Sequence, residues 1–224
     1  MSRSDKMRQS SSTVDAAVAA FRAGQPVLIH DAADREGETD LVYPAGELTP
    51  DAVARMRNDA GGLICTALSH GVAETLELPF LQETIDHPLS ADHDLAYDER
   101  SSFSLTVNHR DTFTGITDED RALTITELAD VAADPDLDAF AEQFRAPGHV
   151  HLLKAAPGLL DDRLGHTELA VALAAAADQS PAAVVCEMLD DESGEALTPA
   201  AAQSYGERND IPYVEGSQLV ERLS

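Results

Sequence analysis

The sequence predicts a single α+β domain in which helices pack around one mixed sheet. Three observations lead there. Short apolar runs interleave with longer amphipathic stretches without forming repeated βαβ units. No repeat of about 20 to 50 residues recurs along the chain. No Pro-, Gly- or Ser-rich linker divides the 224 residues, which are enough to bury a substantial core.

Taken in order, residues 1–12 read as a disordered polar tail without the apolar stretch of a secretion signal, and the domain is expected to span 13–224. Thr13 is the expected N-cap of a first helix, with Val14, Ala17, Val18 and Phe21 on one face and Gly24 at its end. "QPVLIHD" (25–31) is a buried strand. "TPDAVARMRNDAG" (49–61) is a helix opened by Thr49 and Pro50. "GLICTAL" (62–68) is apolar almost throughout and reads as an interior strand. Residues 69–100 are expected to be loop-rich. "SSFSLTVNHR" (101–110) alternates, with Phe103, Leu105 and Val107 on one side of a half-buried strand. Thr117 and Asp120 resemble a capping box at a helix start. "AAVVCEMLD" (182–190) is another interior strand, and "TPAAAQSYGERND" (198–210) another capped helix.

Charge narrows the function classes. Forty-one acids against fifteen bases give a formal charge of −26, and only Lys6 and Lys154 are lysines. The acids are spread along the whole chain, which reads as adaptation to a salt-rich cytoplasm, since salt screens the self-repulsion of such a surface. Nucleic acid is excluded as a partner on electrostatic grounds. No apolar run reaches the roughly 20 residues needed to cross a bilayer, so no membrane partner is expected. Cys65 and Cys186 lie in apolar runs and read as buried, reduced thiols.

Four stretches can carry chemistry. "ADREGETDL" (33–41) places Asp34, Glu36, Glu38 and Asp40 at alternate positions behind a strand. It is not a calcium loop, because Thr39 and Ala45 stand where such a loop needs Gly and a carboxylate. A solvated turn and a mobile loop closing over a ligand both remain open, with Arg35 and Gly37 suiting the second. In "DDRLGHTELAVALAAAA" (161–177), Arg163, Leu164, Gly165, His166 and Thr167 precede or open a long Ala-rich helix. Thr167 can cap it, and free amides beside a guanidinium suit a phosphate, although an ordinary capped helix has equal weight. In "FRAPGHVHLLKA" (144–155), Pro147-Gly148 turns the chain and sets His149 at the start of a strand. Glu187 ends an interior strand, where a carboxylate must be paired or shifted in acidity.

Together and in order, "DREGETD", "GGLICTAL", "SSFSLTVNHRDTFTGITDEDRALTI", "FRAPGHVHLLKA", "RLGHTELAV" and "VVCEMLDDESG" resemble the blocks of the 3,4-dihydroxy-2-butanone 4-phosphate synthase family, over roughly residues 13–222 and most closely its archaeal branch. The resemblance implies an α/β sandwich and a riboflavin-biosynthesis lyase. Such an enzyme converts D-ribulose 5-phosphate to L-3,4-dihydroxy-2-butanone 4-phosphate and formate. It also implies Mg²⁺ or Mn²⁺, and a cytoplasmic homodimer with active sites at the subunit interface. By the same resemblance Glu36 and His166 are the metal ligands. Arg35, Glu36, Asp40, Glu187 and the run Arg163 to Thr167 bind substrate. His149, Glu187, Glu38 and Asp40 are catalytic, and Cys65 is a pocket position. Thr39 departs from the Gly of many bacterial members. His151 departs from a commoner apolar residue and reads as surface. The chain ends without the cysteine-rich cyclohydrolase domain of many relatives, so one activity is expected. Another metal-dependent sugar-phosphate isomerase or aldolase is the rival reading, and a non-catalytic acidic ion binder is a further one.

Overall fold

The computed structural model describes residues 3–31, 37–90 and 100–224, with side chains from Ser12 onward. Seven strands form one sheet in the order β4-β5-β3-β6-β2-β1-β7. They are β1 (Val27–His30), β2 (Thr39–Pro44), β3 (Cys65–Leu68), β4 (Phe103–His109), β5 (Phe144–Lys154), β6 (Ala182–Glu187) and β7 (Tyr213–Glu215). β3 with β5 and β1 with β7 run parallel, and the remaining pairs are antiparallel, so the sheet is mixed as expected.

Strand period two divides the core. Leu28, Leu41, Leu152 and Val184 point into one apolar cluster, while their neighbours Ile29, Val42, Leu153 and Val185 point into the other. The first cluster is closed by α2 (Pro50–Asp59), α3 (His70–Thr75) and α5 (Asp118–Ala133). The second is closed by α1 (Arg3–Arg22), α7 (His166–Ala176) and α9 (Gly216–Leu223). Short α4 (Leu81–Thr84) and α6 (Leu137–Gln143), together with α8 (Pro199–Asn209), complete the helices of the described residues. α7 has no polar stripe, and residues 167–174 are all buried, which is why an Ala-rich sequence serves a helix held between the sheet and α1 and α9. Burying Leu169 and Leu173 alone contributes about 1.5–3 kcal/mol each.

Several expectations need correction. α1 begins at Arg3 and not at Thr13. No Gly or Pro interrupts that segment, so helical backbone runs through most of the stretch read as a loose tail. β2 was not foreseen. It is buried on both faces and ends in Pro44, so it lacks the alternation that marks a half-exposed strand. Within the loop-rich stretch, α3 is capped by Ser69, whose hydroxyl accepts the N–H of Val72 at 3.4 Å, and α4 follows. Thr49, Thr117 and Thr198 cap α2, α5 and α8 as their sequences indicate.

β5 is longer than the short strand expected after Pro147-Gly148. It starts at Phe144 and passes through an irregularity opposite Val107 and Asn108, with a cis Ala146–Pro147 bond. The Gly148 N–H donates to Thr106 Oγ1 at 3.1 Å, and a side chain there would put its Cβ 2.0 Å from the Val107 carbonyl carbon. Gly148→Ala is therefore expected to destabilise the fold by about 3 kcal/mol or more, measured as a lower midpoint in urea denaturation.

Candidate active site

The acidic loop leaves β1 through a tied neck. Asp31 N–H donates to Glu38 O at 3.1 Å, and Glu38 N–H donates to Asp31 Oδ1 at 3.1 Å. His30, one residue earlier, is held by Glu215 across β7 at 2.7 Å, and the Tyr213 hydroxyl donates to the other Glu215 oxygen at 2.8 Å. Glu38 is thus set by backbone geometry on both sides of the loop. Arg35 and Glu36, assigned above to substrate and metal, lie outside the described residues.

β2 carries Asp40, and its register partner on β6 is Glu187. Continuing across the sheet on the same face come Val185, Leu153 and Phe103, linked strand by strand through the ladders. These residues floor a cavity of about 490 Å³ that Glu38, Arg163, His166 and Arg100 also line. Gly61 closes one side, its N–H donating to the Glu187 carbonyl at 2.7 Å.

The α7 helix delivers the imidazole. His166 is its first residue, and its Nδ1 lies 3.2 Å from Glu38 Oε1. Glu38, Asp40 and His166 each offer one ligand atom within 4.8 Å of the others. Two carboxylates and an imidazole suit a hard divalent cation. The Thr167 hydroxyl, next in sequence to His166, is buried without a hydrogen-bond partner among the described residues. Thr167 does not cap the helix. Gly165 is the N-cap and gives no side-chain oxygen to the first turn.

Arg163 is fixed from below. Its Nη1 donates to Glu168 Oε2 at 2.7 Å, and the other oxygen of Glu168 accepts the Ala156 N–H at 3.0 Å. Glu168 is fully buried, so this guanidinium cannot swing away without stranding a charge. Arg163, Arg100 and Ser102 also line a second cavity of about 710 Å³, which adds Lys154. Lys154 is held by Glu74 and the Leu78 carbonyl, and the Arg100 guanidinium sits 3.5 Å over the Phe80 ring. Arg100 was not singled out from sequence, since it follows a loop with no motif of its own.

The other assigned residues are placed as follows. Leu164 is partly exposed and lines neither cavity. Cys65 lies under the floor beside Val185, and burial pushes its thiol acidity far up; burial likewise pushes Cys186 up to about 12. Neither is poised as a nucleophile. His151, expected at the surface, is half-buried with its ring edge toward Phe103 at 6.1 Å, and burial lowers its pKa. His149 does not line the cavity of its own chain; it is exposed on β5 and bound to Asn108.

Comparison with known proteins agrees with this fold. The model of the family described as 3,4-dihydroxy-2-butanone 4-phosphate synthase matches residues 15–222. The chain is 50% identical over 214 residues to the Archaeoglobus fulgidus protein of that name, covering 90% of each. It is 46% identical over 228 residues to the Methanosarcina mazei protein of the same name, covering 96% of this chain and 92% of that one. The Candida albicans synthase structure superposes with a TM-score of 0.77 at 33% identity, over 94% of this chain and 97% of that one. A synthase crystallised with two magnesium ions gives 0.76 at 28% identity, over 93% and 95%.

Replacing the buried carboxylate under Arg163 provides a test of this architecture. Glu168→Ala is expected to cost about 3–5 kcal/mol in equilibrium denaturation, because it leaves the guanidinium without its partner. From its sequence, its mixed-sheet fold and the acid–imidazole cavity those strands build, the chain belongs to the 3,4-dihydroxy-2-butanone 4-phosphate synthase family.

Proposed function

We propose that this chain converts D-ribulose 5-phosphate to L-3,4-dihydroxy-2-butanone 4-phosphate and formate, at the cavity between β2, β6 and the start of α7. The observation that carries the proposal is the convergence of Glu38, Asp40 and His166 within 4.8 Å, in the cavity that Arg163 and Glu187 also line. Glu36 joins this set by resemblance, and Mg²⁺ or Mn²⁺ is the ion these donors fit. Bound there, the ion would polarise the carbonyl and hydroxyl oxygens on which negative charge develops.

The chain's own groups divide the remaining tasks. Arg163, beside the N-terminal end of α7, offers a charged seat for the phosphate. Glu187 and Asp40, opposite each other on adjacent strands, are placed to take and return the protons of enolisation, water loss and formate release. Glu38, tied to Asp31 at the loop neck, is placed to hold a carboxylate against the substrate. Lys154 and Arg100 extend the positive wall in a chain that is otherwise strongly acidic.

His149 lies outside its own chain's cavity, which supports a homodimer in which each copy supplies this imidazole to the other. Near it, Phe113 is 93% exposed and Ile116 50%. Two such apolar side chains on a rigid loop suit burial against a second copy. The acidic composition supports work in a salt-rich cytoplasm.

With purified protein, ribulose 5-phosphate and Mg²⁺, formate is expected to appear and to stop on adding EDTA. An isomerase or aldolase would consume the sugar phosphate without releasing formate. His166→Ala and Glu187→Gln are each expected to lower turnover by about 10²–10⁴-fold, with metal binding lost only in the first. Mixing His149→Ala with Glu187→Gln protein is expected to restore about a quarter of wild-type activity after subunit exchange, since half the dimers would carry one intact site. If His149 served its own chain, the mixture would stay inactive.

A further inference from the structure

His149 is held in a way that limits what its ring can do. The Asn108 side chain is buried between β4, β5 and the loop that follows β4. Its Oδ1 accepts the backbone N–H of His149 at 2.8 Å. A backbone N–H can only donate, so this contact identifies which end of the carboxamide is oxygen. The amide NH₂ therefore faces His149 Nδ1, at 3.2 Å. That group can only donate as well. Nδ1 must present its lone pair, and the neutral ring carries its proton on Nε2.

The amide is braced against turning over. Gly115, at φ +88°, packs so closely that a Cβ there would lie 2.0 Å from Asn108 Nδ2. That glycine is held in turn by Asp120, whose carboxylate accepts the N–H groups of Gly115, Thr114 and Phe113 at 2.8, 3.1 and 3.3 Å. These bonds hold the Asp120 carboxyl below its usual range. The other charged or titratable groups nearby have contacts of their own. Arg145, opposite Asn108, donates to the Thr112 carbonyl at 3.5 Å, and His109 Nδ1 accepts the Asp111 N–H at 3.3 Å.

We propose that Asn108 is a positioning residue that locks His149 in its Nε2–H tautomer, so that this imidazole enters the reaction as a neutral hydrogen-bond donor and not as a base. The proposal rests on the reading that His149 belongs to the active site. A proton added at Nδ1 would point at the amide NH₂, donor against donor. What remains is donation from Nε2 toward a substrate oxygen as it gains negative charge, the task of an oxyanion donor. Proton abstraction is then left to the carboxylates, Glu187 and Asp40 foremost.

Long-range proton–nitrogen NMR on histidine-labelled protein tests this without reference to activity, with His149 assigned by the signals lost in His149→Gln. Wild-type protein is expected to show a pyrrole-like Nε2 and a pyridine-like Nδ1. Asn108→Asp replaces the facing NH₂ by an acceptor and is expected to move the proton to Nδ1. It should lower kcat about a hundredfold while KM stays within about threefold. Asn108→Ala, which removes the facing donor, is expected to give a mixture of tautomers and an intermediate kcat. A protonated Nδ1 in wild type, or an unchanged ring in both variants, would overturn the proposal. Full activity of His149→Gln would overturn the underlying reading instead and leave the tautomer result standing.

Discussion

Asp40 stands opposite Glu187 across the antiparallel ladder of β2 and β6, and the acidic floor of the cavity depends on that register. Side chains alternate along a strand, so both acids project to the face packed by α7, while Leu41 and Cys186 beside them enter the opposite core. A slip of one residue would exchange these sets and bury two carboxylates among Leu and Met side chains. Both faces are apolar along most of each strand, so the acids at the strand ends, and not the apolar pattern, penalise such a slip. The acids occupy the end of that pattern, where α7 has only begun and its first residue, His166, faces them across the cavity.

Electrostatics follows from the same placement. In a chain of net charge −26, an anionic substrate meets repulsion over most of the surface. Arg163, Arg100 and Lys154 line the two adjoining cavities, and each is tethered by an acid, respectively Glu168, Glu83 and Glu74. The tethers differ in strength. Exposed Glu83 restrains Arg100 weakly, since such a pair is screened by solvent, whereas buried Glu168 holds Arg163 rigidly. Positive charge is therefore kept in a fixed place, beside carboxylates that themselves favour a cation.

The antiparallel β4–β5 pair solves a different problem, that of presenting one imidazole outward in a defined orientation. Close backbone approach at Gly148 and side-chain crowding at Gly115 confine Asn108, and Asn108 confines His149. Asp120 uses the orphan amides of a tight loop to stiffen the same region. Rigidity around this exposed His fixes the direction its ring presents to the outside.

Much of this was legible in sequence. Alternating and continuous apolar runs marked β1, β3, β4 and β6, and Thr caps marked three helices, because both depend on neighbours a few residues apart. Asp40, Glu187, Arg163 and His166 were legible as candidates for the same reason, since each sits in a short stretch whose residue types suit the chemistry. β2 was not, because burial on both faces erases alternation. Arg100 was not, because its place comes from Phe80, twenty positions earlier, and Glu168 was not, because a single acid inside an Ala-rich helix gives no sign that it is buried under Arg163. Thr167 misled, since a hydroxyl near a helix start resembles a cap whether or not the backbone begins one residue earlier. The sequence by itself determined four of the strands, the capped helices and the short stretches that carry reactive groups. Only the tertiary structure decided that Glu38 and Asp40 meet His166, and that His149 does not join them in its own chain. Contacts between residues more than a hundred positions apart depend on strand order and register, which local pattern does not encode.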